Sequence, residues 1–273
     1  MGKFAALDWY DTPLYYDIVF SGDDRTEGEF LSALVERYGP PRRGRRRSLE
    51  PACGSGRMLL ELARRGFDVA GFDLSPQMLA FARDRLRRAG VRGKLFEARL
   101  EDFEAPGTFD LAHCMVNTFK YLLDEESVQA HFRHVARALT PGGLYVIGLH
   151  LTQYEDRRCN HERWRQARGA VEVTCNIRGW PPERRERLER VRSRLAVVDK
   201  GVVRRTETEW RFRTYDWKQL KSSLARAQSF EHIATFDFTY DLGAPREMPD
   251  DHLDAVVVLR KRGGALRTSR SDT

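Results

Sequence analysis

The 273-residue sequence predicts an α/β protein, a doubly wound, mostly parallel sheet of seven strands with an antiparallel β insertion after the fifth. Three observations carry this. From about residue 48 to 151, short apolar runs alternate with longer stretches of helical periodicity, the pattern of βαβ units. Between about 168 and 215 apolar and polar residues alternate one by one, as in half-buried antiparallel strands. Two further strand-like runs, around 231–239 and 253–260, then follow a helical stretch and return to the main sheet. With 41% hydrophobic residues, a chain of this length buries one sizeable core, so one domain with an insertion is expected.

Leu49 to Ala52 is a short first strand, with polar neighbours unusual for a central position. Met58, Leu59, Leu62 and Ala63 recur at helical spacing and Gly66 stops the helix, whose N-terminus lies in a glycine loop. Val69 to Phe72 is the second strand. Ser75-Pro76 supplies an N-cap and a proline at the first helical position, and Met78, Leu79, Ala82 and Leu86 form the stripe of a helix ending at Gly90. Leu95 to Ala98 and Leu111 to Val116 are the third and fourth strands. Asp124 caps a helix carrying Val128, Phe132, Val135, Ala136 and Leu139, which Pro141-Gly142-Gly143 ends before the fifth strand, Leu144 to Leu149. In the insertion, Val171, Val173 and Cys175, then Leu195 and Val197, then Trp210 and Phe212 after a turn at Asp199-Lys200-Gly201, predict three antiparallel strands. A helix over about Trp217 to Ala227 precedes the last two strands. The organisation expected is an N-terminal segment 1–45, a core 46–155, the insertion 156–215, a return to the core over 216–262 and a disordered tail 263–273.

A strand ending in an acidic residue, a Gly-x-Gly turn into a helix, and an acidic residue closing the next strand describe a nucleoside site at the carboxyl edge of a parallel sheet. Glu50, Gly54, Gly56 and Asp73 stand at those places. Glycine lets the backbone turn sharply and approach a ligand, Asp73 can accept from both ribose hydroxyls, and Glu50 can receive a cationic amine. A dinucleotide site would favour a third glycine three places after Gly56, where Leu59 stands, so NAD is disfavoured; no Gly-Lys-Ser/Thr follows, which excludes a Walker loop.

Glu50-Pro-Ala-Cys-Gly-Ser-Gly-Arg57, Gly71-Phe-Asp-Leu-Ser-Pro-Gln-Met-Leu79 and Leu139-Thr-Pro-Gly-Gly143 resemble the class I S-adenosylmethionine-dependent methyltransferases, over roughly residues 10–155 and the two terminal strands. The resemblance implies S-adenosylmethionine as cofactor and sheet order 3-2-1-4-5-7-6. It also implies ribose contact at Asp73, adenine contact from Leu74 and Met78, and methionine-end contacts around Ala52, Cys53, Gly54 and Gly56. Many relatives carry an aspartate after the third strand to hold the adenine amino group; Arg99 stands there, which leaves the Leu100 backbone for that contact.

In such sheets the reacting group lies over the carboxyl ends of the strands, which places Met115, Val116, Asn117, Thr118 and His150 at the pocket. Asn117 either hydrogen-bonds the acceptor or caps its loop, and His150 is either a base or a partner of backbone. Trp9-Tyr-Asp-Thr-Pro-Leu-Tyr-Tyr-Asp-Ile18 is similar to the lid helix of small-molecule N-methyltransferases that act on glycine, sarcosine and amino sugars, with Tyr16 and Asp17 matching its tyrosine and aspartate. That makes 1–45 a lid and Tyr16 a pocket residue, and gives the insertion the role of pocket roof or homodimer contact.

The formal charge of +7 comes largely from Arg interleaved with Glu, a solvated, self-paired pattern; the unmixed run Arg42-Arg43-Gly44-Arg45-Arg46-Arg47 is either an exposed loop or an anion-binding patch. The first residues lack a signal-peptide pattern and no segment approaches about 18 apolar residues, so neither export nor a membrane partner is expected. Four cysteines without CxxC spacing suggest no zinc site or other metal site and no disulfide framework, and fit a reducing cytoplasm. The functional expectation is methyl transfer to a small-molecule amine or hydroxyl. Competing readings are methylation of RNA or protein, for which no Asn/Asp-Pro-Pro-Tyr-like sequence follows strand four, and a catalytically silent cofactor-binding partner subunit.

Overall fold

The computed structural model describes residues 4–22, 24–248 and 252–263. The chain begins with a two-residue strand β1 (Ala5–Ala6), a 3₁₀ turn at Trp9–Asp11, and helices α1 (Pro13–Val19) and α2 (Asp24–Tyr38). The core then runs β2 (Arg47–Pro51), α3 (Arg57–Arg64), β3 (Asp68–Asp73), α4 (Pro76–Arg88), β4 (Gly93–Glu97) and β5 (Phe109–Cys114). After a 3₁₀ turn at Thr118–Tyr121 come α5 (Glu125–Ala138) and β6 (Leu139–His150). The insertion comprises β7 (Asn160–Arg168), β8 (Val171–Gly179), β9 (Leu188–Asp199) and β10 (Val202–Arg213), and α6 (Trp217–Arg226), β11 (Phe230–Phe236) and β12 (Asp254–Lys261) complete the core.

The main sheet has seven strands in the order β4-β3-β2-β5-β6-β12-β11, which is 3-2-1-4-5-7-6 when the core strands are numbered alone. β2 through β6 pair in parallel, whereas β12 is antiparallel to β6 and β11 to β12. Because side chains alternate across a strand, the two faces of β6 enter different clusters: Tyr145 and Ile147 pack with α5 and α6, while Leu144 and Val146 pack with α2, α3 and α4. Ser75 and Asp124 cap their helices as the sequence indicates, accepting from Met78 N and Ser127 N.

Two expectations are corrected. The fifth core strand starts at Leu139, before Pro141-Gly142-Gly143; the glycines lie in a pairing irregularity where Phe109 faces Leu139 but Leu111 faces Leu144. The insertion contributes four strands, not three, and β1 adds a fifth in the order β1-β10-β9-β8-β7. The missed strand β7 is an edge strand, exposed at every position except Trp164, so it has no buried face to produce an alternating pattern. Arg262, which ends the returning core segment, donates to Ser229 O and Phe230 O, and of the expected tail residues 264–273 lie outside the described residues. Among the described residues no helix is long and apolar enough to cross a membrane.

The arginine run lies at the amino edge of the sheet, away from the strands' carboxyl ends. Arg42 pairs with the buried Asp110 at 2.8 Å, Arg45 with Asp68 at 3.2 Å, Arg46 donates to Pro40 O, and Arg47 lies 5.0 Å from the Phe109 ring.

Candidate active site

At the end of β2 the chain turns through Ala52, Gly54 and Gly56, all left-handed, with φ of 52°, 51° and 73°. Three such residues in five explain the glycines, and Ala52 holds a conformation that costs an L-residue about 1–2 kcal/mol. Cys53 N bonds Phe72 O at 2.8 Å and Gly56 N bonds Cys53 O at 2.9 Å, so the loop is held by β3 and by itself. Gly56 also matters for packing, because a Cβ there would lie 2.8 Å from Ala82 Cβ, and its absence lets the start of α3 touch α4. The Cys53 thiol is buried near Gly71, and burial raises its pKa well above the usual range, which keeps it protonated and unreactive.

Asp73 closes β3 beside this loop. Its Oδ2 accepts from Gly54 N and its Oδ1 from Ser75 N, each at 2.8 Å, which fixes the carboxylate plane while each oxygen keeps capacity for another donor. Burial raises its pKa, against the lowering effect of those backbone bonds. Glu50 differs: its Oε2 is buried without a hydrogen-bond partner, and burial, then the nearby Glu27, push its pKa well above the ordinary carboxylate range, with Arg57 opposing. A buried, unfilled acceptor of this kind fits a cationic amine. Arg57, the first residue of α3, lies on the same wall, held by Asp24 Oδ1 at 2.8 Å and by the Phe20 carbonyl. It was not singled out from the sequence, although an arginine at a helix N-terminus opposes the helix dipole, and that anomaly was the signal available. Together Glu50 and Arg57 suit a head group bearing both an ammonium and a carboxylate.

The first helix is fastened over the loop by Asp17, which is fully buried. Ser55 Oγ donates to its Oδ1 at 2.6 Å, and Arg85 of α4 and Arg168 of β7 each reach its Oδ2 at 2.6 Å. One carboxylate therefore joins α1, the glycine loop, α4 and β7, and Ser55, Arg85 and Arg168 hold its pKa down against burial. Tyr16 precedes it and faces the cavity, edge-on to Trp9; burial raises its hydroxyl to about 12, with Arg57 opposing, so the phenol stays protonated.

Between the sheet's carboxyl edge and the antiparallel sheet lies a cavity of about 1070 Å³. Its floor is Glu50 to Ser55 with Met115, Val116 and Asn117; its roof is Trp164, Trp180, Trp210 and Phe212, with Glu162 and Glu189 among them. Val116 and Asn117 are left-handed, with φ of 48° and 68°, a strained conformation for a β-branched valine at the end of β5. Asn117 Oδ1 accepts from His150 N at 2.9 Å and Asn117 N donates to Gly148 O at 2.9 Å, tying the ends of β5 and β6. His150 Nδ1 lies 2.6 Å from Asp254 Oδ1; a proton held there leaves Nε2 as an acceptor. Lys120, also on the wall, was not singled out from the sequence either.

Of the expected site residues, the cavity is lined by Tyr16, Glu50, Ala52, Cys53, Gly54, Met115, Asn117 and His150. Asp73 and Leu74 lie at the end of β3 behind Gly54, with Leu74 55% exposed and able to cover a ligand. Three stand elsewhere. Gly56 packs on Ala82, Met78 is fully buried, and Leu100 packs against the core while its carbonyl accepts from His131 Nδ1 at 2.7 Å, so that carbonyl is already engaged.

Residues 49–143 match the family described as a methyltransferase domain. A chain from Geobacillus sp. (strain WCH70) named for the methyltransferases is 28% identical over 85% of this chain and 90% of its own length. The dTDP-3-amino-3,6-dideoxy-alpha-D-glucopyranose N,N-dimethyltransferase of Streptomyces fradiae is 32% identical, over 48% of this chain and 50% of its own. Among solved structures, an S-adenosylmethionine-dependent methyltransferase from Clostridium acetobutylicum superposes with a TM-score of 0.74 at 17% identity, covering 93% of this chain and 99% of that one.

Proposed function

We propose that this chain, a class I S-adenosylmethionine-dependent methyltransferase, methylates the nitrogen of a small-molecule amine. The observation that carries this reading is the roofed cavity of about 1070 Å³, where the acceptor side combines tryptophans with Glu162 and Glu189. Aromatic faces and carboxylates attract an amine, and a space between the sheet's carboxyl edge and the antiparallel sheet suits a small molecule rather than a polymer. The Streptomyces fradiae relative, named for an amino sugar, supports the same choice. Against an RNA acceptor, the arginines Arg42, Arg45, Arg46 and Arg47 are occupied at the opposite edge of the sheet.

When bound, S-adenosylmethionine supplies a methyl group on an electrophilic sulfonium. Asp73 would hold its ribose, Glu50 its ammonium and Arg57 its carboxylate. Glu50 gains a partner for Oε2 in doing so, and its carboxyl becomes ionised. Tyr16 keeps its proton and serves as a hydrogen-bond donor at the cofactor end. Asn117 positions the acceptor, and His150, oriented by Asp254, takes the proton an ammonium acceptor must lose before nitrogen can attack.

Two measurements test the reading. S-adenosylhomocysteine should raise the melting temperature where NAD does not, and Asp73→Ala should abolish the rise. Labelled methyl should pass to members of an amine panel and not to total RNA; incorporation into RNA alone would overturn the small-amine assignment.

A further inference from the structure

We infer that Lys120 binds an anionic group of the acceptor, so that the enzyme selects amines that also carry a carboxylate; this rests on the small-amine reading above. Lys120 sits on the 3₁₀ turn that follows β5, three residues after Asn117, and it is on the cavity wall although only 4% exposed. An ammonium has three protons to donate. Among the described residues, its partners are Glu189 Oε2 at 3.4 Å and the face of Phe212 at 5.1 Å. A satisfied charge-assisted bond is about 2.7–2.9 Å long, so this contact is loose. The buried ion pairs at Asp17, by comparison, close to 2.6 Å. Lys120 and Glu189 come from different layers, the turn below and β9 above, and both line the cavity where an acceptor must lie. Burial lowers the lysine pKa and Glu189 draws it back, so a second anion would complete the charge that burial disfavours.

The other cations on the wall are engaged: Arg57 with Asp24 at 2.8 Å, and Arg158 with Asp156 at 2.8 Å. Lys120 is therefore the wall cation with the most unused capacity. The remaining lining is acidic, with Glu162, Glu189, Glu27 and Glu50, which sets the charge of the ligand. A dianionic phosphate would meet more repulsion than one lysine relieves. A carboxylate balanced by an amine on the same molecule suits both the lysine and the acids.

The test uses the full chain, S-adenosylmethionine and matched acceptors: glycine against glycinamide, β-alanine against β-alaninamide, and 2-aminoethylphosphonate as the dianion. The wild-type enzyme should prefer the carboxylate members at least about thirtyfold in kcat/KM, the scale on which loss of a buried charge partner is felt. Lys120→Met should erase the preference through KM while the melting shift with S-adenosylhomocysteine persists; Lys120→Arg should retain part of the preference. Equal or better use of the amides by wild type, or a preference that survives in Lys120→Met, overturns the inference while leaving the amine reading intact. Preference for the phosphonate overturns the carboxylate assignment. Failure of wild type to methylate any amine overturns the small-amine reading, and the role of Lys120 with it. A Lys120→Met chain that loses the cofactor shift would make Lys120 a structural residue and also overturn it.

Discussion

Glu50→Gln should stabilise the cofactor-free protein and weaken cofactor binding, two effects of opposite sign from one atom. Glu50 Oε2 is buried with no partner, and the neighbouring charges of Glu27, Asp24 and Asp73 disfavour its ionisation. Its folded-state pKa is raised, so once the pH rises above the ordinary glutamate range the folded state must either keep a proton the unfolded chain has lost or bury a charge. Either costs stability at and above neutral pH, and the amide removes that cost, giving about 1 kcal/mol, or about 2 °C in a chain of this size. With cofactor the sign reverses. The ammonium would lose a charged partner inside a buried site, which at about 2–4 kcal/mol raises Kd roughly thirty- to several-hundredfold. Calorimetry with S-adenosylhomocysteine in buffers of different ionisation enthalpy reads a third consequence: an amine that draws Glu50 back toward ionisation must expel a proton, and the glutamine variant cannot. A fall of several degrees in the cofactor-free melting temperature, an unchanged Kd, or equal proton release in the two proteins would refute the reasoning.

Gly56→Ala should destabilise by about 2–5 kcal/mol, combining a left-handed alanine at about 1–2 with the clash against Ala82 at about 1–3. In denaturation, Ala82→Gly added to Gly56→Ala should recover the clash and not the backbone strain, so additivity of the two changes would be wrong for this geometry. Asp17→Asn should loosen α1 from the glycine loop, at about 2–4 kcal/mol because Arg168 is nearly half exposed and its pairing is discounted. The expected readout is faster proteolysis near the N-terminus. Since the folded pKa of Asp17 is lowered, its contribution is full above the normal aspartate range and is lost as pH falls through the folded value. Acid should act earlier through His113 and His131, which burial pushes down to about 3 and about 4. Below about pH 6.5 the unfolded chain takes up protons these rings refuse, so stability falls by about 1.4 kcal/mol per pH unit for each. Urea midpoints from pH 7 to 5 should show about half that slope in His113→Leu; an unchanged slope would place the effect elsewhere.

The sheet, its helices and the glycine loop were legible because their signals are local. Ser75 and Asp124 cap within one turn, and Gly54 and Gly56 answer to backbone angles that few residues adopt. β7 was illegible because nothing buries it, and three of its residues still matter, Arg168 through Asp17 and Glu162 and Trp164 through the cavity. The arginine run could not be assigned from charge alone; its partners Asp68 and Asp110 lie 23 and 68 residues from Arg45 and Arg42. Gly56 and Met78 belong to the motif, but packing sets what they do: one makes room for Ala82 and the other is sealed inside.

Alone, the sequence determined the α/β class and the glycine turn, because each depends on spacing along one strand–loop–helix unit, while the methyl donor followed from the resemblance of those motifs to the class I methyltransferases. Only the tertiary structure decided that Asp17 fastens α1 to the glycine loop, α4 and β7, that Arg57 shares a wall with Glu50, and that Lys120 on the turn after β5 meets Glu189 of β9. Those contacts join segments up to 151 residues apart, and their chemistry comes from burial and distance, which no local pattern encodes.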